Sequence, residues 1–378
     1  MEKATRIVFG LIAFLICIQG FAQSQTRTWL SGDSLGKFHI VPQVMLGQIV
    51  PHREEMQHLI QGQTVGMSIQ VIRRKTFSWW GMYQRQPITG AELYYSSTGN
   101  TNQLGHQFAV NYLIYRPYLN GSRPLYYGLG LGLGYNTKIW DLNNNHQAPV
   151  ISSHLNACLV IHLQYPIIQT EKTDWMLGFR MTHLSNGAYQ LPNLGTNNFQ
   201  ISVTKQPRMV LPRRPINIID ILPGFHRSRF FSLTIAGGLK EIFQPLGKKY
   251  PVGNIQCNFT KAINWRHRIS VGVDYLYQPA LRKLWQEYKG IDATDLQCMQ
   301  AGIAVGYQSI FGFTTFSIQQ GFYLYSPWKE NGKFYHRLSI RRNFANLPNF
   351  GRNCFWYAGL FTHWAKADHV EFGCGIDI

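Results

Sequence analysis

The sequence of 378 residues predicts an all-β protein: an antiparallel outer-membrane β-barrel with two similar halves of about eight strands each. Three observations predict it. Apolar and polar residues alternate with period two through segments of about ten residues, the length of strand that crosses a bilayer at a tilt. Only 14% of the residues are charged, while 35 are glycine, 23 phenylalanine, 20 tyrosine and 10 tryptophan. That composition excludes a disordered chain, which would be poor in aromatics. The N-terminus carries an export signal, and no later apolar run reaches the roughly 20 residues that a spanning helix needs.

The signal comes first. Lys3 and Arg6 form a positive segment, Ile7–Cys17 is the apolar stretch, and Gly20-Phe21-Ala22 puts small residues at the two cleavage-determining positions. Residues 1–22 are therefore expected to be removed after Ala22. Cys17 is not read as a lipid-attachment site, because Ile16 before it is bulky. The mature chain is expected to be exported by a bacterium.

Eight candidate strands follow at 38–52, 62–75, 87–98, 105–119, 125–139, 152–168, 173–186 and 197–207. In the fourth, Phe108, Val110, Tyr112 and Ile114 alternate with Gln107 and Asn111. In the fifth, Leu129, Leu131, Leu133 and Tyr135 share one parity, and Gly128, Gly130, Gly132 and Gly134 share the other. This glycine stripe does not fit the G-x-G-x-x-G loop that opens a nucleotide-binding helix. Glycine facing a barrel lumen instead leaves room for bulky side chains from the opposite wall. Residues 208–229, with Pro212, Pro215, Pro223 and the pair Arg213-Arg214, break the alternation and read as a linker. A second set is expected at 230–242, 249–263, 267–278, 295–310, 313–326, 333–344, 354–365 and 369–378. The expected organisation is thus a signal peptide at 1–22, a first barrel half at 23–207, the linker, and a second half at 230–378.

The second set resembles the first in order. Ala91-Glu92-Leu93-Tyr94-Tyr95 is matched by Val273-Asp274-Tyr275-Leu276-Tyr277, and Thr182-His183-Leu184 by Thr362-His363-Trp364. The linker favours two small barrels. The scarcity of tandem barrels favours one barrel of about sixteen strands, and this is the arrangement slightly preferred. Either even count returns the chain to the periplasm.

The formal net charge is +18, from 36 Lys and Arg against 18 Asp and Glu. Export argues against nucleic acid as the partner and for phosphorylated lipid or polysaccharide. The clusters Arg73-Arg74-Lys75, Lys248-Lys249 and Arg341-Arg342 have the chemistry to pair with lipid phosphates. Cys158, Cys257, Cys298, Cys354 and Cys374 are odd in number and lack a CxxC spacing, so they read as packed or lipid-facing residues. No HExxH or other ligand spacing appears, and neither a metal nor a cofactor is expected.

The candidate chemistry lies at the end of the seventh strand. Trp175, Leu177, Phe179, Met181, His183 and Ser185 share one parity, and the four large apolar members turn that face to lipid. Across the turn, Asn197, Phe199, Ile201 and Val203 form the matching face of the next strand. His183, Ser185 and Asn197 are therefore expected to meet on the outer wall. Polar groups facing lipid are costly and usually functional. A His and a Ser two residues apart on a strand project side by side, and the imidazole can take the hydroxyl proton to make a nucleophile. Counted from a periplasmic start, the seventh strand runs outward, so the pair lies near the outer leaflet.

These residues resemble the PagL-type lipid A 3-O-deacylases, outer-membrane barrels with an H-x-S-N motif and a lipid-exposed Ser-His-Glu triad. The likeness rests on His183-Leu184-Ser185-Asn186, followed in register by Pro192-Asn193 and Gly195, within a barrel resemblance over roughly 38–207. It implies an ester hydrolase acting on lipid A of lipopolysaccharide in the outer leaflet. Ser185 would be the nucleophile, His183 the general base, and Asn186 would stand beside the oxyanion hole. The 3-O position comes from the resemblance alone. The family's glutamate falls on Asn197 here, which can orient His183 but not offset its positive charge. In a serine protease triad that exchange costs about 10⁴ in turnover. Glu92 is the carboxylate the pattern offers as a substitute.

The second half has Ala365 where the first has Ser185, so no nucleophile remains there, although Glu371 follows His363. A structural or lipid-binding role is expected for it. Two other readings of the whole chain stay open: a pore, which would carry charged rings and long outer loops, and a catalytically inactive lipopolysaccharide-binding or structural barrel.

Overall fold

A strand with one apolar and one polar face needs lipid or a core on one side and a neighbour on each edge. Among the described residues, sixteen such strands satisfy their edges in two separate rings. The computed structural model describes residues 37–75, 80–81, 84–118, 123–209, 228–243, 247–344, 353–364 and 366–378. The expected signal peptide and residues 210–227 of the expected linker lie outside them.

The first ring comprises β1 (His39–Ile49), β2 (Thr64–Arg74), β3 (Ile88–Ser97), β4 (His106–Pro117), β5 (Tyr126–Asn136), β6 (Leu155–Gln169), β7 (Thr173–Ser185) and β8 (Thr196–Pro207). The second comprises β9 (Arg229–Glu241), β10 (Lys249–Ala262), β11 (His267–Tyr277), β12 (Met299–Phe311), β13 (Thr314–Tyr325), β14 (Phe334–Asn343), β15 (Cys354–His363) and β16 (Lys366–Asp377). Each ring is a closed antiparallel barrel, β8 pairing back to β1 and β16 to β9. The slightly preferred single barrel of about sixteen strands is corrected accordingly. Once β8 has taken the free edge of β1, no strand edge is left for β9 to join, and closure is what removes edges. An eight-stranded ring is also the size whose interior side chains can fill.

Each expected strand appears. The largest shift is at β12, which starts at Met299 because Leu296–Cys298 forms a 3-10 turn. A helix, α1 (Ala280–Lys289), was not expected in the β11–β12 connection. It buries Leu281 against Cys298 and Trp328, while its polar side carries the Lys283–Glu287 ion pair at 2.5 Å.

Both barrels are polar within and apolar without. Ile69, Leu93, Phe179 and Ile201 are exposed on the first wall, and Ile235, Val271, Val305 and Phe372 on the second. Water-soluble monomers rarely expose apolar bands of this extent, and lipid is the solvent that suits them. Inside the first barrel, the fully buried Arg180 guanidinium meets Glu92 at 2.7 and 2.9 Å. β3 and β7 stand four places apart in a ring of eight, so this ion pair crosses the lumen. A buried charge is tolerated only when so paired. Glu92 is therefore no substitute for the missing triad acid: its parity turns it inward, where Arg180 and Asn111 hold it. The glycine stripe faces inward too, and a Cβ on Gly128 would fall 2.4 Å from the Tyr115 ring.

The second lumen repeats the device. Arg337 reaches Asp274 at 2.8 Å and Glu371 at 2.8 Å, all three fully buried. Glu92 and Asp274 thus sit on the third strand of their respective barrels, each facing a buried arginine, as the sequence likeness around them suggests.

Candidate functional site

The site is assembled where β7 ends and the 186–195 loop begins. Odd-numbered residues of β7 face outward, as Trp175, Leu177 and Phe179 show by their exposure. His183 and Ser185 follow that parity and are half-buried at the rim. The β7–β8 register sets His183 directly opposite Asn197, and β6 sets Leu159 on its other side. The His183 Nδ1 and Asn197 Oδ1 atoms lie 2.7 Å apart. Below them the outer wall continues as an apolar track of Ile161, Phe179, Phe199 and Ile201, with the two phenylalanine rings stacked at 5.9 Å.

Three loop residues complete the arrangement. The Ser185 Oγ accepts a bond from Asn193 Nδ2 at 2.9 Å and one from the Gly187 amide at 3.2 Å. Asn193 also accepts the Asn186 amide on its Oδ1 at 3.1 Å, so its carboxamide bridges the loop in a fixed sense. With both lone pairs of Ser185 Oγ engaged, its proton is the part left to give away. Gly195 closes the loop with φ +77°, a left-handed conformation that glycine adopts without strain. A Cβ there would fall 2.9 Å from His183 Cε1 and 3.4 Å from Ser185 Cβ, so only glycine lets the loop return this close to both.

Asn186 is adjacent to the nucleophile candidate, but its side chain points into the loop. Its Nδ2 donates to Ser153 Oγ at 3.0 Å and to the Gln190 carbonyl at 2.9 Å. Its position therefore shapes the turn that carries the Gly187 and Asn193 donors. The structure sets His183 on Asn197 and leaves both His183 and Ser185 beside Gly195, on the face that parity predicts.

Sequence reasoning missed two participants. His52, in the β1–β2 loop, places Nδ1 3.1 Å from Asn197 Nδ2 and Nε2 2.9 Å from the Leu194 carbonyl oxygen. The loop is drawn in by the Val50 amide bonding to the Asn197 carbonyl. No spacing signal marks His52, because its partners lie 145 and 142 residues away. Glu241, at the end of β9 in the other barrel, accepts the Leu191 amide on its carboxylate at 2.9 Å, and its own amide donates to the Ala188 carbonyl at 3.2 Å. The second barrel therefore holds the loop that follows Ser185. Val370 of β16 lies against Gly187 in the same contact.

Comparison with known proteins adds the following. Residues 65–206 match the family model described as lipid A 3-O-deacylase (PagL), and residues 229–378 match the model of the acyloxyacyl hydrolase C-terminal domain. Among solved structures the chain is similar to the outer membrane enzyme PagL at 14% identity, over 43% of this chain and 97% of that one, with a TM-score of 0.32. It is also similar to mutants of the Rhodopseudomonas blastica porin at 7% identity, over 90% of this chain and 99% of theirs, with a TM-score of 0.17. The chain matches none of the curated proteins.

Proposed function

The chain belongs to the lipid A 3-O-deacylase (PagL) family, and from that premise we propose that it is an outer-membrane serine esterase that removes an ester-linked acyl chain from lipid A. The 3-O position follows from the family. The observation that carries the reading is the placement of Ser185, His183 and Asn197 on the lipid-facing wall, above an apolar track that suits an acyl chain.

The cleaved signal peptide delivers the chain to the periplasm. Both barrels then insert with their strand ends β1, β8, β9 and β16 on the periplasmic side. β7 runs outward in that orientation and brings Ser185 to the outer leaflet, where lipid A resides. The long 137–154 and 278–298 connections lie at the same end, as outward loops of such barrels do.

The reaction proceeds through an acyl-enzyme. Ser185 Oγ attacks the ester carbonyl carbon as His183 Nε2 takes its proton. The oxyanion that forms is bonded, through carbon, to Oγ. The Gly187 amide and Asn193 Nδ2, which now solvate Oγ, are the donors within reach of it. Asn186 supports this pocket by fixing the turn. The tetrahedral intermediate collapses, His183 returns the proton to the sugar oxygen, and the deacylated lipid leaves. Water, deprotonated by His183, then releases the fatty acid from Ser185. Asn197 orients the imidazole throughout.

The experiment is mass spectrometry of lipid A from cells expressing the wild type or Ser185→Ala. Loss of one acyl chain with the wild type alone is the expected result. Unchanged lipid A beside folded, membrane-inserted wild-type protein would overturn the reading.

A further inference from the structure

We propose that His52 is a positioning residue that sets the tautomer of His183 through Asn197. The inference rests on the esterase reading above and concerns what lets the site work with an amide where the family has a carboxylate.

A carboxylate has two equivalent acceptor oxygens, so either one can receive the proton on imidazole Nδ1. A carboxamide has one accepting and one donating end. Turned the wrong way, Asn197 would present Nδ2 to His183 and require a lone pair on Nδ1. The proton would then sit on Nε2, and the ring could not deprotonate Ser185. Something must choose the amide's direction.

The hydrogen bonds on the far side of Asn197 do so. The Leu194 carbonyl oxygen can only accept, so the His52 Nε2 at 2.9 Å must donate to it. A neutral imidazole protonated on Nε2 has its lone pair on Nδ1. That lone pair lies 3.1 Å from Asn197 Nδ2, which donates to it. Asn197 Oδ1 is thereby left facing His183 Nδ1 at 2.7 Å, and an oxygen that only accepts requires the proton on Nδ1. The lone pair of His183 then falls on Nε2, the position that a base needs. Three consecutive bonds transmit one constraint from a backbone carbonyl to the catalytic ring. The carbonyl belongs to the same 186–195 loop that carries Gly187 and Asn193, so the loop that presents the nucleophile also polarises the base.

The test uses the full-length protein in lipid vesicles with lipid A as substrate, and a double-mutant cycle between positions 52 and 197. His52→Ala is expected to lower kcat by about tenfold or more, within the roughly 10⁴ that a misplaced tautomer costs a Ser-His triad. KM should change little. In the N197D background the same H52A substitution should cost less than about twofold, because a carboxylate needs no orientation. His52→Gln should restore most of the wild-type rate, since its carboxamide can accept from Asn197 and donate to Leu194. Histidine ¹⁵N spectra should place the His183 proton on Nδ1 in the wild type and shift it toward Nε2 in H52A. Equal losses from H52A in both backgrounds would reduce His52 to a structural part of the loop and overturn the proposal, as would an unchanged tautomer. A wild type that releases no acyl chain would defeat the esterase reading, and the ¹⁵N spectra would still decide whether His52 sets the tautomer.

Discussion

His183 and His363 both follow a threonine near the end of the seventh strand of their barrels, and they lie on opposite sides of the wall. His183 projects outward beside Asn197. His363 is buried in the second lumen, where its Nε2 meets the Tyr323 hydroxyl at 2.9 Å and its ring lies 5.4 Å from that of Phe361. Odd-numbered residues face out in β7 and in on β15, where Phe355, Tyr357 and Phe361 are buried. The contrast shows which parts of a likeness between two halves keep their meaning. Lumen features do: each barrel has a buried carboxylate on its third strand held by an arginine. The outer-wall site does not, because a one-residue change of parity moves a side chain from lipid to lumen. His183 stands on the lipid-facing wall, and His363 stands inside the lumen.

The largest expected effect breaks this comparison directly. His183→Ala should reduce acyl release from lipid A at least about 10³-fold, as loss of a triad base does, while His363→Ala should leave the rate within about twofold of wild type. Fatty-acid release kinetics measure both, and similar losses would mean that the second lumen takes part in catalysis.

The two buried arginines come next. Arg180→Met leaves Glu92 without its cation, and Arg337→Met strips the arginine from both Asp274 and Glu371, the latter keeping His369 at 3.6 Å. Stranding a buried charge costs about 3–5 kcal/mol, so the second substitution should destabilise more than the first. Urea unfolding of the protein in lipid vesicles, followed by tryptophan fluorescence, ranks them. The reverse order would show that the number of stranded carboxylates does not set the cost.

Two left-handed glycines sharpen the contrast further. Gly195→Ala forces a Cβ to 2.9 Å from His183 Cε1 and 3.0 Å from the Leu184 carbonyl oxygen. It should lower kcat about 10²-fold, the cost of a displacement on the order of 1 Å at a reacting group, with the barrel still folded. Gly290→Ala after α1 has the same kind of backbone, φ +67°, with nothing within 4 Å of its Cβ. It should cost only about 1 kcal/mol of stability and no activity. Parallel rate and unfolding measurements separate the two effects.

The smallest expected effect concerns what the second barrel gives the first. Glu241→Ala removes the carboxylate that accepts the Leu191 amide. A hydrogen bond to a charged group contributes about 1.5–3 kcal/mol, and the backbone bond from Glu241 to Ala188 should still hold the loop near its place. A three- to tenfold fall in kcat is expected, with Glu241→Gln milder. An unchanged rate would mean that the catalytic loop keeps its shape without the second barrel.

The strands were legible because a bilayer imposes period two on each of them, and the Gly128–Gly134 stripe was legible because packing opposite walls of a narrow lumen demands it. His183, Ser185 and Asn197 were legible for the same reason, since the apolar residues of β7 and β8 declare which face meets lipid. The facing of His363 was not. In β15 both parities are apolar, Phe355 and Phe361 on one and Trp356 and Leu360 on the other, so alternation there carries no sign. The charge of Glu92 alone does not reveal its role; its parity turns it inward to Arg180. Helix α1 escaped because a ten-residue amphipathic segment inside a loop leaves no period-two trace.

By itself, the sequence determined the membrane-spanning β class, the strands among the described residues, and the outward facing of His183, Ser185 and Asn197 on one wall. All of these follow from local alternation and from the residue types it carries. Only the tertiary structure decided that β8 returns to β1, making two barrels. It alone placed His52 on Asn197 and Glu241 on the loop after Ser185. Ring closure and loop contacts join residues more than a hundred positions apart, or join one barrel to the other. Periodicity, which compares each residue only with its near neighbours, contains no information about such pairs.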